Sequence, residues 1–172
     1  HVKECFAVID KPSFDTECYF VVGAGMAIRK KVTEVIFNEE FQSVGRKGTL
    51  LLSGEDNEIC EKTIKLGYKV YQLKNLKLRH YLPPKRLTWS YVTRLNKGHG
   101  IYHMQKIYAD YKKEFWRLYL ANVLLAISLV VNNPKAFYYF VFRFEGKLEA
   151  SIFHVRYGYF QFLNDLIKKN IE

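Results

Sequence analysis

Ser53-Gly54-Glu55-Asp56-Asn57-Glu58 places three carboxylates in four residues, directly ahead of Ile59-Cys60-Glu61-Lys62-Thr63-Ile64-Lys65-Leu66. The second stretch has the apolar spacing of a helix, and Gly67 supplies its stop. A β-rich segment follows over Tyr68–Leu73, then another over Leu76–His80. An acidic cluster at the head of a helix, with strands after it, predicts an α/β unit whose acids face a cleft. Two uses of the cluster stay open at this point. Asp and Glu in a first helical turn meet unpaired N–H groups and the positive end of the helix dipole, and this is the commoner use. Ser53 with Asp56 resembles a capping arrangement, although Glu or Gln is the usual partner. The other use is chemical, as a general base for a hydroxyl.

Toward the N-terminus, residues 1–32 read as two or three short strands around turns at Asp10–Ser13 and Phe14–Thr16. Cys5–Ile9 and Tyr19–Val22 are the β-prone runs. Gly23-Ala24-Gly25 follows the second run and lacks the third glycine of a dinucleotide fingerprint. Its use is close approach of backbone to a ligand or to another strand. Residues 31–41 read as a short helix and turn, and 42–52 as a loop containing Gly45 and Gly48. The chain opens on His1 inside what reads as a strand, so a longer parent protein is expected.

Toward the C-terminus, Pro83-Pro84 breaks the chain. Leu87, Tyr91 and Leu95 then mark a helix over 87–97, which Gly98-His99-Gly100 is expected to interrupt before a second helix over 101–116. Leu118–Val131 is apolar except for Asn122 and Ser128. At 14 residues it is short against the roughly 20 needed for a membrane span. Asn132-Asn133-Pro134-Lys135 separates it from Ala136–Phe142. A last amphipathic helix, Ile152–Ile167, carries Phe153, Tyr157, Tyr159, Phe160 and Phe162. Two expectations follow: a helical subdomain covering a core, or helices lying in or dipping into a membrane face with Tyr, Trp and Lys at the headgroups.

The whole chain has 172 residues, enough for one domain with a real core, and a formal net charge of +10. That charge favours an anionic partner: a nucleotide diphosphate, a phospholipid surface or nucleic acid. Cys5, Cys18 and Cys60 show neither metal-ligand spacing nor a framework pattern, and read as reduced thiols in a cytoplasmic setting.

The order Gly23-x-Gly25-Met-Ala-Ile-Arg29, Phe41, Gly54-Glu-Asp-Asn-Glu58, Leu66-Gly-Tyr68, His80 and Pro84-x-Arg-Leu-Thr88 resembles the C-terminal half of family 2 glycosyltransferases. The resemblance covers about residues 15–100. It implies an α/β fold, the acceptor-side part of a GT-A-like fold with a mixed sheet and flanking helices (residues 1–105), followed by a helical, membrane-proximal tail (106–172). It implies that Asp56 matches the base that deprotonates an acceptor hydroxyl while the anomeric carbon is attacked in line, with inversion. Glu55 matches the preceding acid and is the substitute candidate; Glu58 lies one turn on, and either Glu55 or Glu58 is placed to orient acceptor hydroxyls. Gly23 and Gly25 lie at the substrate. His80 matches a histidine that completes a divalent metal site, with Mn²⁺ or Mg²⁺ as the cofactor and strand-end packing as the competing use.

Arg86, Arg94 and Lys97 are candidate substrate contacts, the resemblance matching Arg94 to an Arg that contacts the diphosphate, with a basic face of a solvated helix as the competing use of each. Processive relatives carry Gln-x-x-Arg-Trp about here, whereas this chain has Tyr91-Val-Thr-Arg94-Leu95, so single-sugar transfer is expected. The family's Asp-x-Asp, which holds metal and diphosphate, does not occur in the sequence, so most of the metal site is assigned to a preceding half. The expected partners are a nucleotide-diphosphate sugar, a glycan or lipid-linked acceptor and an anionic membrane, without nucleic acid. The expected location is the cytoplasmic face of the cell membrane, peripheral or anchored. The competing reading is a non-enzymatic basic module that binds anionic membrane or single-stranded nucleic acid.

Overall fold

A computed structural model describes residues 14–39, 41, 46–47, 50–51 and 54–169. The expected strand Cys5–Ile9, the turn Asp10–Ser13 and the capping role of Ser53 lie outside them. The described elements are β1 (Thr16–Cys18), α1 (Lys30–Ile36), β2 (Arg46–Lys47), β3 (Leu50–Leu51), α2 (Glu55–Lys65), β4 (Val70–Gln72), a 3₁₀ turn Pro84–Arg86, α3 (Trp89–Tyr111), α4 (Phe115–Asn132), α5 (Pro134–Val141) and α6 (Ser151–Lys169). The chain divides into two compact units at Pro83/Pro84, with Gly48–Leu52 counted in the second. Residue 105 lies inside α3.

In the first unit, β1 and β4 pair antiparallel, with Glu17 opposite Tyr71. Lys69 donates to Glu17 at 2.9 Å, and this partner holds the Glu17 carboxyl below its ordinary range and the Lys69 ammonium above its own. Helix α1 buries Val32 and Ile36, one turn apart, toward α2. Gly54 opens α2 at φ 123° with no side-chain cap, and three acids fill its first turn. These acids meet the positive helix end, while Lys62 and Lys65 meet the negative one. The C-terminus is a Schellman motif: Gly67 at φ 82° donates to Ile64 O and Tyr68 to Thr63 O.

Two expected strands do not form. Tyr19–Val22 and Leu76–His80 are irregular and largely exposed. Their β-prone residues lack a partner strand among the described residues, and strand preference is realised through cross-strand packing.

In the second unit, Thr88 caps α3: its Oγ1 accepts the Tyr91 N–H at 3.3 Å. The helix runs on through Gly98-His99-Gly100 without the expected interruption. The reason is a backbone crossing. A Cβ on Gly100 would collide with Val155 O and lie 3.1 Å from Gly158 Cα, and one on Gly158 would collide with Lys97 O. The glycines thus let α3 and α6 meet main chain to main chain, where contact gain outweighs their weak helix preference. Leu95, Met104, Phe153 and Leu163 fill the buried core of this unit.

Helix α4 lies antiparallel to α6: Tyr119 donates to Asn164 at 3.4 Å and Arg156 to Asn122 at 2.7 Å. Pro134 starts α5, where a missing N–H costs nothing.

Candidate functional site

The turn Gly23–Met26 is closed by the Met26 N–H on Gly23 O at 3.1 Å, with Gly25 at φ 82°. That backbone conformation requires glycine or a close substitute at the third position. Leu78 packs on Gly25, 3.3 Å from where a Cβ would stand. The turn is tied to α2 at two places. Asp56 Oδ2 accepts the Gly23 N–H at 3.1 Å, and the Cys60 thiol points to Val21 O at 3.9 Å. Asp56 and Cys60 are four residues apart on one helix, so both lie on the face toward the turn. Asp56 Oδ1 accepts the Asn57 N–H at 3.1 Å, which leaves the half-buried carboxylate with both oxygens oriented and acceptor capacity remaining on each.

The three acids of the cluster take different positions, all within the first turn of α2. Asp56 holds the glycine turn. Glu58 is buried and faces Lys62, 3.7 Å away. Lys62 also reaches Glu39 at 3.3 Å and sits over the Phe41 ring at 4.2 Å. Glu58 therefore belongs to an ion-pair cluster that joins α2 to the end of α1. Glu55 has one carboxylate oxygen, Oε2, buried without a hydrogen-bond partner among the described residues.

Cys60 is buried, and this burial, with smaller contributions from the nearby Asp56 and Cys18, pushes its thiol above the ordinary range. Cys60 stands one turn from the acids in the sequence. Its tie to Val21 was not visible, because it depends on where the residues before the glycine turn pass.

His80 lies in the irregular, exposed segment before Pro83. Among the described residues no three His, Cys, Asp or Glu side chains gather closely enough to hold a metal ion. The described residues therefore do not fit a complete divalent metal site, and His80 offers a single imidazole.

Arg86, Arg94 and Lys97 belong to the second unit. Arg86 is half-buried in the 3₁₀ turn. Arg94 is exposed, and its Nε donates to Ser90 O at 3.2 Å. Lys97 lies over the Tyr157 ring at 5.0 Å. Tyr91 and Leu95, which flank Arg94, are both core residues.

Comparison of the chain with protein-family models, with curated proteins and with solved structures gives no match.

Proposed function

We propose that the chain is the acceptor-side half of an inverting, GT-A-like glycosyltransferase, with Asp56 as general base. The observation that carries this reading is the Asp56–Gly23 hydrogen bond. It brings together the two motifs, 33 residues apart, on which the resemblance rests. In the proposed reaction the acceptor hydroxyl gives its proton to Asp56 as its oxygen bonds to the anomeric carbon. The bond to the nucleoside diphosphate breaks with its electron pair on the leaving group, and the configuration inverts. Asp56 holds its place through main-chain donors, so its carboxylate is oriented before substrate arrives. Glu55, half-buried beside Asp56, is the remaining acid of the first turn to orient an acceptor hydroxyl, whereas Glu58 serves the Lys62 cluster and is withdrawn from that role.

Arg94 is the better candidate of the three basic residues for the diphosphate, since it is exposed and its fork is suited to phosphate. Leu95 points into the core, so position 95 offers no ring for stacking a growing polymer. This supports transfer of a single sugar. The exposed apolar side chains of the first unit, Phe14, Tyr19, Phe20, Leu76 and Tyr81, support a nucleotide-binding half packed against it. That half would supply most of the ligands of the divalent metal.

The test is transfer by the full-length gene product from a panel of nucleotide-diphosphate sugars. Asp56→Asn keeps size and one acceptor oxygen and removes the base, so turnover falls about 10²–10⁴-fold with donor binding unchanged. Undiminished transfer by this variant, or no turnover of any donor by the wild type, refutes the proposal.

A further inference from the structure

Helix α4 carries an apolar face that none of the described residues of the unit covers. On its less exposed side stand Leu118, Val123 and Ala126, with Asn122 buried and bonded to Arg156 of α6. The outward side chains of α4 are Leu120, Leu124, Leu125, Ile127 and Val131, each more than half exposed. Only 6% of the helix is buried, and it is long and apolar enough to be a candidate span. From residue 118 to 134 the sequence holds no Asp, Glu, Lys or Arg, while Lys112, Lys113 and Arg117 precede this stretch and Lys135, Arg143 and Lys147 follow it. At the second end the cations stand among aromatic rings, Lys135 and Lys147 both over Tyr139. An apolar strip with cations at both ends is complementary to acyl chains bordered by anionic headgroups.

Two geometric facts decide how such a helix meets a bilayer. The outward apolar strip from Leu120 to Val131 rises about 16 Å, roughly half of a hydrocarbon core of about 30 Å. Arg156 of α6 donates to Asn122, the eighth of the 18 residues of α4. Asn122 is 3% exposed, so the pair is built into the packing of the unit. Were α4 to cross the membrane with this packing intact, the Arg156 guanidinium would enter the hydrocarbon beside it, which is costly. With α4 flat, the same pair lies on the inward, protein side, and only the uncharged strip meets lipid.

We propose that α4 is an in-plane membrane anchor: its Leu120–Val131 face is immersed in the interface of an anionic bilayer, and the helix does not cross it. This inference stands apart from the transferase reading, because it uses none of the same residues.

The experiment is depth-dependent fluorescence quenching on phosphatidylglycerol-containing vesicles with nitroxide-labelled acyl chains. The chain has two tryptophans, Trp89 and Trp116. Trp89→Phe leaves Trp116 as the reporter at the start of α4. Trp89→Phe/Trp116→Phe/Leu124→Trp moves the reporter eight residues along the exposed side. An in-plane helix gives both reporters the same shallow depth, quenched more by a label high on the chain than by one near its end. A spanning helix puts residue 124 about 12 Å deeper than residue 116, and that result overturns the proposal. Absence of quenching at both positions overturns it as well and assigns the face to protein, whether a second copy or another segment. Leu124→Glu is expected to lower vesicle binding at least tenfold with helicity retained by circular dichroism, which separates loss of the anchor from unfolding; unchanged binding of this variant also overturns the proposal. Asp56→Asn binds vesicles as the wild type does, so the two proposals fail separately.

Discussion

Replacing Gly100 by alanine tests the packing of the second unit most directly, because two physical effects pull in opposite directions. In an isolated helix, glycine to alanine stabilises by about 1 kcal/mol. Here the added methyl carbon collides with Val155 O, lies 2.8 Å from Val155 C and 3.1 Å from Gly158 Cα. All three obstacles are main chain, so no rotamer change relieves them, and α3 and α6 must part. Overpacking of this kind costs about 1–3 kcal/mol, and a rigid backbone obstacle puts it near the upper limit. The net expectation is a loss of about 2 kcal/mol, or a fall in Tm of about 4–8 °C for a chain of this size. Far-UV circular dichroism during thermal or urea unfolding measures it. Gly158→Ala, which collides with Lys97 O from the other side, is expected to behave alike. The double variant should lose less than the sum, since the first methyl group already separates the helices. A rise in stability of about 1 kcal/mol for Gly100→Ala would refute the crossing, because that is the response of a glycine touching nothing.

Two further expectations concern titratable groups. Burial lowers the pKa values of His103 and His154 from the usual 6.5, with Lys106 adding to the effect at His103. Both imidazoles are therefore held toward the neutral form in the fold, and the unfolded chain takes up protons first as pH falls. Their stabilisation is present above pH 6.5 and lost as pH falls through the folded values, so Tm should drop between pH 7 and 5, and His103→Gln/His154→Gln should flatten that slope. A slope unchanged in the double variant would show that other groups carry it. For the thiols, half-exposed Cys18 should react with an aromatic disulfide reagent in the native protein. Cys60, buried with a raised pKa, should react at least ten times more slowly until denaturant is added; equal native rates would contradict its burial.

The helices were legible in the sequence where apolar periodicity and chain punctuation agreed. Gly67 after Leu66 marks a helix end found in the structure, and the breaks at Pro83-Pro84 and Asn132–Lys135 each fall just ahead of or at a helix start there. The Gly98–Gly100 segment was misread because local preference opposes a helix there, and the compensating contact comes from Gly158, nearly sixty residues away. Tyr19–Val22 and Leu76–His80 have strand composition, yet composition is silent on whether a partner strand stands alongside. Of the candidate site, the pairing of the glycine turn with Asp56 was not legible either: the glycines predict close approach to a ligand or a strand, and the structure brings Gly23 to the start of a helix. Nor was the diversion of Glu58 to Lys62, since one turn of helix places Glu58 equally well for solvent or for a cation.

The Asp56–Gly23 bond also depends on its neighbours. Joining residues 33 apart costs about 3 kcal/mol in loop-closure entropy, while a hydrogen bond to a charged group contributes about 1.5–3 kcal/mol. The bond therefore does not close that loop unaided; it shares the closure with the packing of α1 on α2 and with the Val21–Cys60 contact. The acid proposed to take the acceptor's proton is thus also one of the ties that keep the glycine turn on α2.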